Sequence, residues 1–108
     1  MATTKKKTAK KSTTKAAQPP VLVRTYSAGV HFGYLVNRSG REVTLTRSRR
    51  IWQWHGAWTL SEIAARGLDS ARSKIGAPVD IVLTEAIEII ACAPAGVAAI
   101  EAAKWAGQ

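Results

Sequence analysis

The sequence predicts a small α+β domain: an antiparallel, β-rich roll or partly open barrel, with one short central helix and a C-terminal helix. Three observations carry that prediction. Between residues 21 and 54, short runs of branched and aromatic residues alternate with polar ones and are broken by turn formers, the pattern of a strand meander. At TLSE (59–62) the period becomes helical. After residue 80 a branched run, DIVLTEAIEIIAC, leads into Pro94 and an alanine-rich segment. Strands and helices do not alternate as βαβ units, so a doubly wound fold is not expected.

Taken in order, residues 1–20 read MATTKKKTAKKSTTKAAQPP. They carry Lys5, Lys6, Lys7, Lys10, Lys11 and Lys15, no acid, and no Ile, Leu, Val or aromatic residue. Such a segment buries too little apolar surface to offset the entropy of ordering, so it reads as a disordered tail. Residues 21–108 form the single expected domain. It holds ten of the 16 basic residues and all seven acids, a balance of +3, so most of the +9 charge belongs to the tail. No apolar run follows the lysines as a secretory signal requires, and the longest apolar stretch is too short to span a bilayer. Cys92 is the only cysteine, so no internal disulfide forms.

VLVRTY (21–26) is the first predicted strand, with Val21 and Val23 on one face and Leu22 and Arg24 on the other. SAG (27–29) is a turn, VHFGYLVN (30–37) a second strand, and RSG (38–40) a tight turn in which Gly40 takes positive φ. REVTLT (41–46) and SRRIWQW (48–54) are read as a third and a fourth strand, with Val43 and Leu45 sharing a face. In the helix that follows, Thr59 caps the first free amides, Glu62 reaches back, and Gly67 ends it; Trp58 is placed as a staple against Ile63. Residues 68–80 read as a polar loop or irregular extended piece. Residues 80–92 read as one long strand, or two with a bend near Thr84 and Glu85. Pro94 opens the last helix, whose wheel intersperses Glu101 and Lys104 among Val97, Ile100 and Trp105.

No catalytic or metal-binding residue is assigned. His31, His55 and Cys92 lack metal-site spacing. Glu85 and Glu88, three apart in a strand, face opposite ways, a poor start for paired-carboxylate chemistry. Gly29 and Gly33 lack the third glycine and following helix of a dinucleotide fingerprint; the simpler reading is a turn glycine and a glycine facing a bulky neighbour. No enzyme activity and no cofactor are expected.

The basic segments point to an anionic partner. The six tail lysines attract phosphate backbones without reading sequence. Five further arginines, Arg38, Arg41, Arg47, Arg49 and Arg50, fall in the hairpin region, and Arg49 and Arg50 are the candidate phosphate contacts of the domain. In RRIWQW, strand alternation puts Arg50, Trp52 and Trp54 on one face and Arg49, Ile51 and Gln53 on the other. Two readings follow. If exposed, Trp52 and Trp54 are a stacking platform beside an arginine. If buried, they fill a small core at the expense of exposing only Ile51. The second leaves less apolar surface in water and is preferred on sequence alone.

Three ordered blocks, RTYSAGVHFGYLV (24–36), RRIWQWHGAWTLSEIAARG (49–67) and PVDIVLTEAIEIIAC (78–92), resemble a family of small, generally uncharacterised domains encoded by bacteriophages and prophages. The likeness covers most of residues 22–92; the lysine-rich front lies outside the pattern, and no binding residue carries over from the family. The resemblance implies a phage origin and a non-enzymatic accessory role. The expected function is a virion-associated or structural protein whose basic N-terminal arm contacts nucleic acid. The alternative is a small early protein that binds DNA or RNA or inhibits a host protein. Expected partners are nucleic acid or another polyanion, and a protein partner or a second copy, with no membrane. The expected setting is the host cytoplasm or the virion.

Overall fold

The structure, a computed structural model, describes residues 18–105. Residues 1–17, with all six tail lysines, lie outside the described residues.

Among the described residues, six strands and two helices follow one another as β1 (Pro20–Thr25), β2 (Val30–Ser39), β3 (Glu42–Gln53), α1 (Leu60–Arg66), β4 (Lys74–Ile75), β5 (Val79–Leu83), β6 (Ala86–Ala91) and α2 (Pro94–Ala102). All ladders are antiparallel, and the sheet order is β4–β3–β2–β1–β6 with β5 also on β3. Long β3 carries two short partners on one edge: β5 along Val43–Ser48 and β4 along Ile51–Gln53. Only Thr84 and Glu85 join β5 to β6, yet the two strands lie on opposite edges of the sheet. The sheet therefore curls until those edges meet, and the link is pinned by Tyr26 N donating to Glu85 O at 2.9 Å and Ala86 N donating to Arg41 O at 3.0 Å. No ladder joins β5 to β6 among the described residues, so the roll stays open.

This curl gives the sheet two buried faces. Leu22, Phe32, Ile51 and Ile75 pack under the helices with Ile63, Ala64, Leu68, Ile100 and Ala103. Val21, Val23, Val43, Leu45 and Leu83 fill the inside of the roll. Alternation in β1 supplies both clusters, Val21 and Val23 to one and Leu22 to the other, as the sequence predicts. Each such side chain contributes about 1.5–3 kcal/mol on full burial.

Glu42–Gln53 is one strand where the sequence suggests two. The register passes from Phe32↔Arg49 to Tyr34↔Thr46, so Arg47 and Ser48 together oppose Gly33. This is a β-bulge, and Arg47 takes a φ of 50° within it. The extra residue reverses the alternation. Val43 and Leu45 point into the roll, whereas Arg49 and Ile51 point under the helices. That reversal corrects the preferred reading of RRIWQW: Ile51 is core and Trp52 is 73 % exposed. Trp54, past the end of the strand, is half-buried against the helix-side cluster and does not share a surface with Trp52.

Gly33 faces a bulky neighbour as expected, since a Cβ there would lie 2.9 Å from that of Leu45. Thr59 caps α1, with its Oγ1 accepting from Glu62 N at 3.2 Å; Glu62 reaches one residue further back than a standard box, accepting from Trp58 N at 2.9 Å. Trp58 is no staple: its side chain is 92 % exposed. Of the stretch read as a loop, residues 74–75 and 79–80 are strand. Pro94 opens α2, which ends at Ala102, and α1 and α2 approach backbone to backbone at Gly96.

Candidate nucleic-acid interface

The four candidate residues of RRIWQW, Arg49, Arg50, Trp52 and Trp54, have three different fates. Arg49 is the clearest. As Phe32's ladder partner it points under the helices, where it is 1 % exposed. Its Nε donates to Gly76 O at 2.8 Å, Nη1 to Ile100 O at 2.7 Å, and Nη2 to Ala103 O at 2.7 Å. A helix leaves its last carbonyls without partners, and Arg49 supplies donors to that end of α2. Burial lowers the guanidinium's pKa, and the charge of Glu101 acts against that. Arg49 is therefore a structural cap and is not presented to a phosphate, a correction to its candidate role.

Arg50 points the other way and is exposed, opposite His31 in the ladder. His31 itself is buried, its Nε2 donating to Ala28 O at 2.9 Å within the turn before β2. Burial lowers the imidazole's pKa, and the Arg50 charge adds to that. Cys92 is half-buried, and burial pushes its thiol up to about 11. Among the described residues no group of three His, Cys, Asp or Glu side chains gathers to hold a metal. No described helix is long and apolar enough to cross a membrane.

Trp52 follows on the same face as Arg50. The Lys74 ammonium sits 5.2 Å from the centre of its ring. Around Trp52 opens a pocket of about 400 Å³, lined by Lys74, Ile75, Gly76 and Ala77 from β4 and the chain after it and by Lys104 and Trp105 from the chain after α2. Trp105 is held beneath Arg49, whose guanidinium carbon lies 5.2 Å from the ring centre. The pocket thus combines two tryptophans with two lysines, and among the described residues no carboxylate lines it.

A second aromatic groove lies at the other side of the β3 end, formed by Arg24, Val30, Trp54, Trp58 and Leu60, but it includes Glu88. Arg38 and Arg41 flank a cleft beside β6 that also contains Glu88. Arg47 lies 3.7 Å over the Tyr34 ring, and Tyr34 in turn donates to Glu101 Oε2 at 2.8 Å. Burial and that carboxylate raise the Tyr34 phenol to about 12.

Of the candidate residues in the domain, then, the structure presents Arg50 and Trp52 together, half-buries Trp54 elsewhere, and removes Arg49. Sequence reasoning missed Lys74, Lys104 and Trp105. No local motif marks them; they reach Trp52 only through the β3–β4 pairing and the return of the chain after α2.

No curated protein and no solved structure matches the chain. Residues 18–100 match the family described as a domain of unknown function (DUF6948), and the chain belongs to that family.

Proposed function

We propose that this is a non-enzymatic, phage-encoded accessory protein that binds nucleic acid through its domain as well as its lysine tail. The observation that carries this reading is the exposed Trp52 ring, in a pocket bearing Lys74 and Lys104 and, among the described residues, no acid. Aromatic rings set among cations are the arrangement that holds nucleic-acid strands without sequence readout. The tail adds long-range attraction. The likeness to phage-encoded domains supplies the setting.

The test is binding of a labelled DNA oligonucleotide at about 0.05 and 0.2 M salt, using the full chain and a variant with Lys5, Lys6, Lys7, Lys10, Lys11 and Lys15 changed to alanine. The reading expects the variant to bind more weakly, with a shallower salt dependence, and to retain measurable affinity. Loss of all binding in the variant would remove the domain from the interface.

A second reading, assembly as a virion component, is favoured by one feature. Among the described residues β5 and β6 each pair on one edge only, and Val79 and Val82 of β5 and Ile87 of β6 are exposed. Unprotected edges invite pairing with another chain. Sedimentation of the purified protein tests this; a monomer at all concentrations speaks against self-assembly.

A further inference from the structure

We infer that the Trp52 pocket accepts one unpaired nucleobase, stacked on the Trp52 indole, with Lys74 and Lys104 meeting the flanking phosphates, so that the domain prefers single strands to duplex. This deepens the proposed function and rests on it.

Four features support the assignment. First, an indole exposed to water with an ammonium beside it is a surface on which a flat nucleobase can stack. A base that lies on the ring takes the place of Lys74, and the flexible ammonium moves to the phosphate of the same nucleotide. Second, Gly76 and Ala77 bring no bulky side chain to the lining, and a Cβ on Gly76 would only make ordinary contact with Arg50 atoms at 3.7–3.9 Å. A planar ring can approach it closely. Third, the site is a pocket lined by two separate chain segments, 73–77 and 104–105. A base already stacked in a duplex cannot enter it, whereas a splayed base can. Fourth, Arg49 fixes the second segment, since it anchors Ala103 and lies over Trp105. That segment is set before any ligand arrives, which limits the entropy lost on binding.

Charge separates this pocket from its rivals. The Trp54–Trp58 groove and the Arg38–Arg41 cleft each include the Glu88 carboxylate, which repels a phosphate. The same chemistry could come from a strand or from a free nucleotide, so the experiment includes both.

The full chain is titrated into a labelled oligothymidylate of about 12 nucleotides, at about 0.2 M salt to screen the tail. A duplex of equal length is measured directly and thymidine monophosphate as a competitor. The variants are Trp52→Ala, Trp52→Phe and Trp58→Ala, each checked for folding by circular dichroism. The expected result is tighter binding of the single strand than of the duplex. Trp52→Ala should weaken it about tenfold or more, Trp52→Phe should recover most of the loss, and Trp58→Ala should leave it unchanged. Competition by the mononucleotide at a similar concentration per nucleotide, abolished by Trp52→Ala, supports the pocket with a free nucleotide as its occupant. Equal binding of single strand and duplex, unchanged in Trp52→Ala, overturns the base pocket and leaves nucleic-acid binding standing. Absence of binding to every probe, even at about 0.05 M salt, overturns both.

Discussion

Arg49 reaches from the middle of the sheet to close the end of α2, with its Nη2 donating to the carbonyl oxygen of Ala103 at 2.7 Å. One side chain thereby ties β3, the β4–β5 connection at Gly76 and the chain leading to Trp105. Removing it takes away the guanidinium donors to Ala103 O and Gly76 O, while Ile100 O keeps the Ala103 N–H at 3.2 Å. Arg49→Ala should cost about 3 kcal/mol of stability, read from urea denaturation. Arg49→Lys should fall between, because an ammonium cannot reproduce the planar fork. A surface phosphate contact would behave oppositely, with DNA affinity falling and stability unchanged.

Gly96 sets how closely α1 and α2 approach. A Cβ there would sit 2.3 Å from Ala64 O and 2.7 Å from Ile63 O, and both are backbone atoms. The helices must separate to admit it. Gly96→Ala should destabilise the domain by roughly 1–3 kcal/mol, seen as a lower Tm.

His31 links stability to pH. Its folded-state pKa lies below the ordinary value of 6.5 because burial disfavours the imidazolium. The unfolded chain therefore binds more protons than the folded one once pH falls below that value. Stability from the neutral imidazole is fully present above about pH 6.5 and is lost as pH drops through the folded pKa. Urea midpoints of the wild type should decline between about pH 6.5 and 5, before most carboxylates titrate. In His31→Gln that slope should vanish.

Cys92 should be a slow thiol. With its pKa near 11, only on the order of one molecule in a thousand is thiolate at pH 8. Iodoacetamide should modify the native protein about 100-fold more slowly than the urea-unfolded chain at the same pH. Equal rates would mean that the thiol is not buried as described.

The parts of this fold written in local pattern were legible in the sequence. The turn glycines, the capping box at Thr59 and Glu62, Pro94 at the start of α2, and the split of β1 into Val21/Val23 and Leu22 all follow from neighbours a few residues apart. The bulge at Arg47 and Ser48 was not legible, because a non-glycine residue with positive φ leaves no mark in a binary pattern. Sequence alone therefore chose the wrong side of RRIWQW as core. A sheet covered on both faces made that error easy, since either face of a strand can be the buried one. Arg49's role depends on a helix end some fifty residues on, and a charged residue in a basic cluster gives no hint of it. Trp52 was singled out from sequence; its companions Lys74, Lys104 and Trp105 required the tertiary structure.

The central claim is that Trp52, at the mouth of a basic pocket, is where the domain meets nucleic acid. The indole N–H resonances of the four tryptophans, assigned by single substitutions and followed by NMR as oligothymidylate is added, test it most directly. The account expects the Trp52 and Trp105 signals to move together and saturably, while that of Trp58 stays in place. Saturable movement of Trp58 with Trp52 and Trp105 unmoved would contradict it.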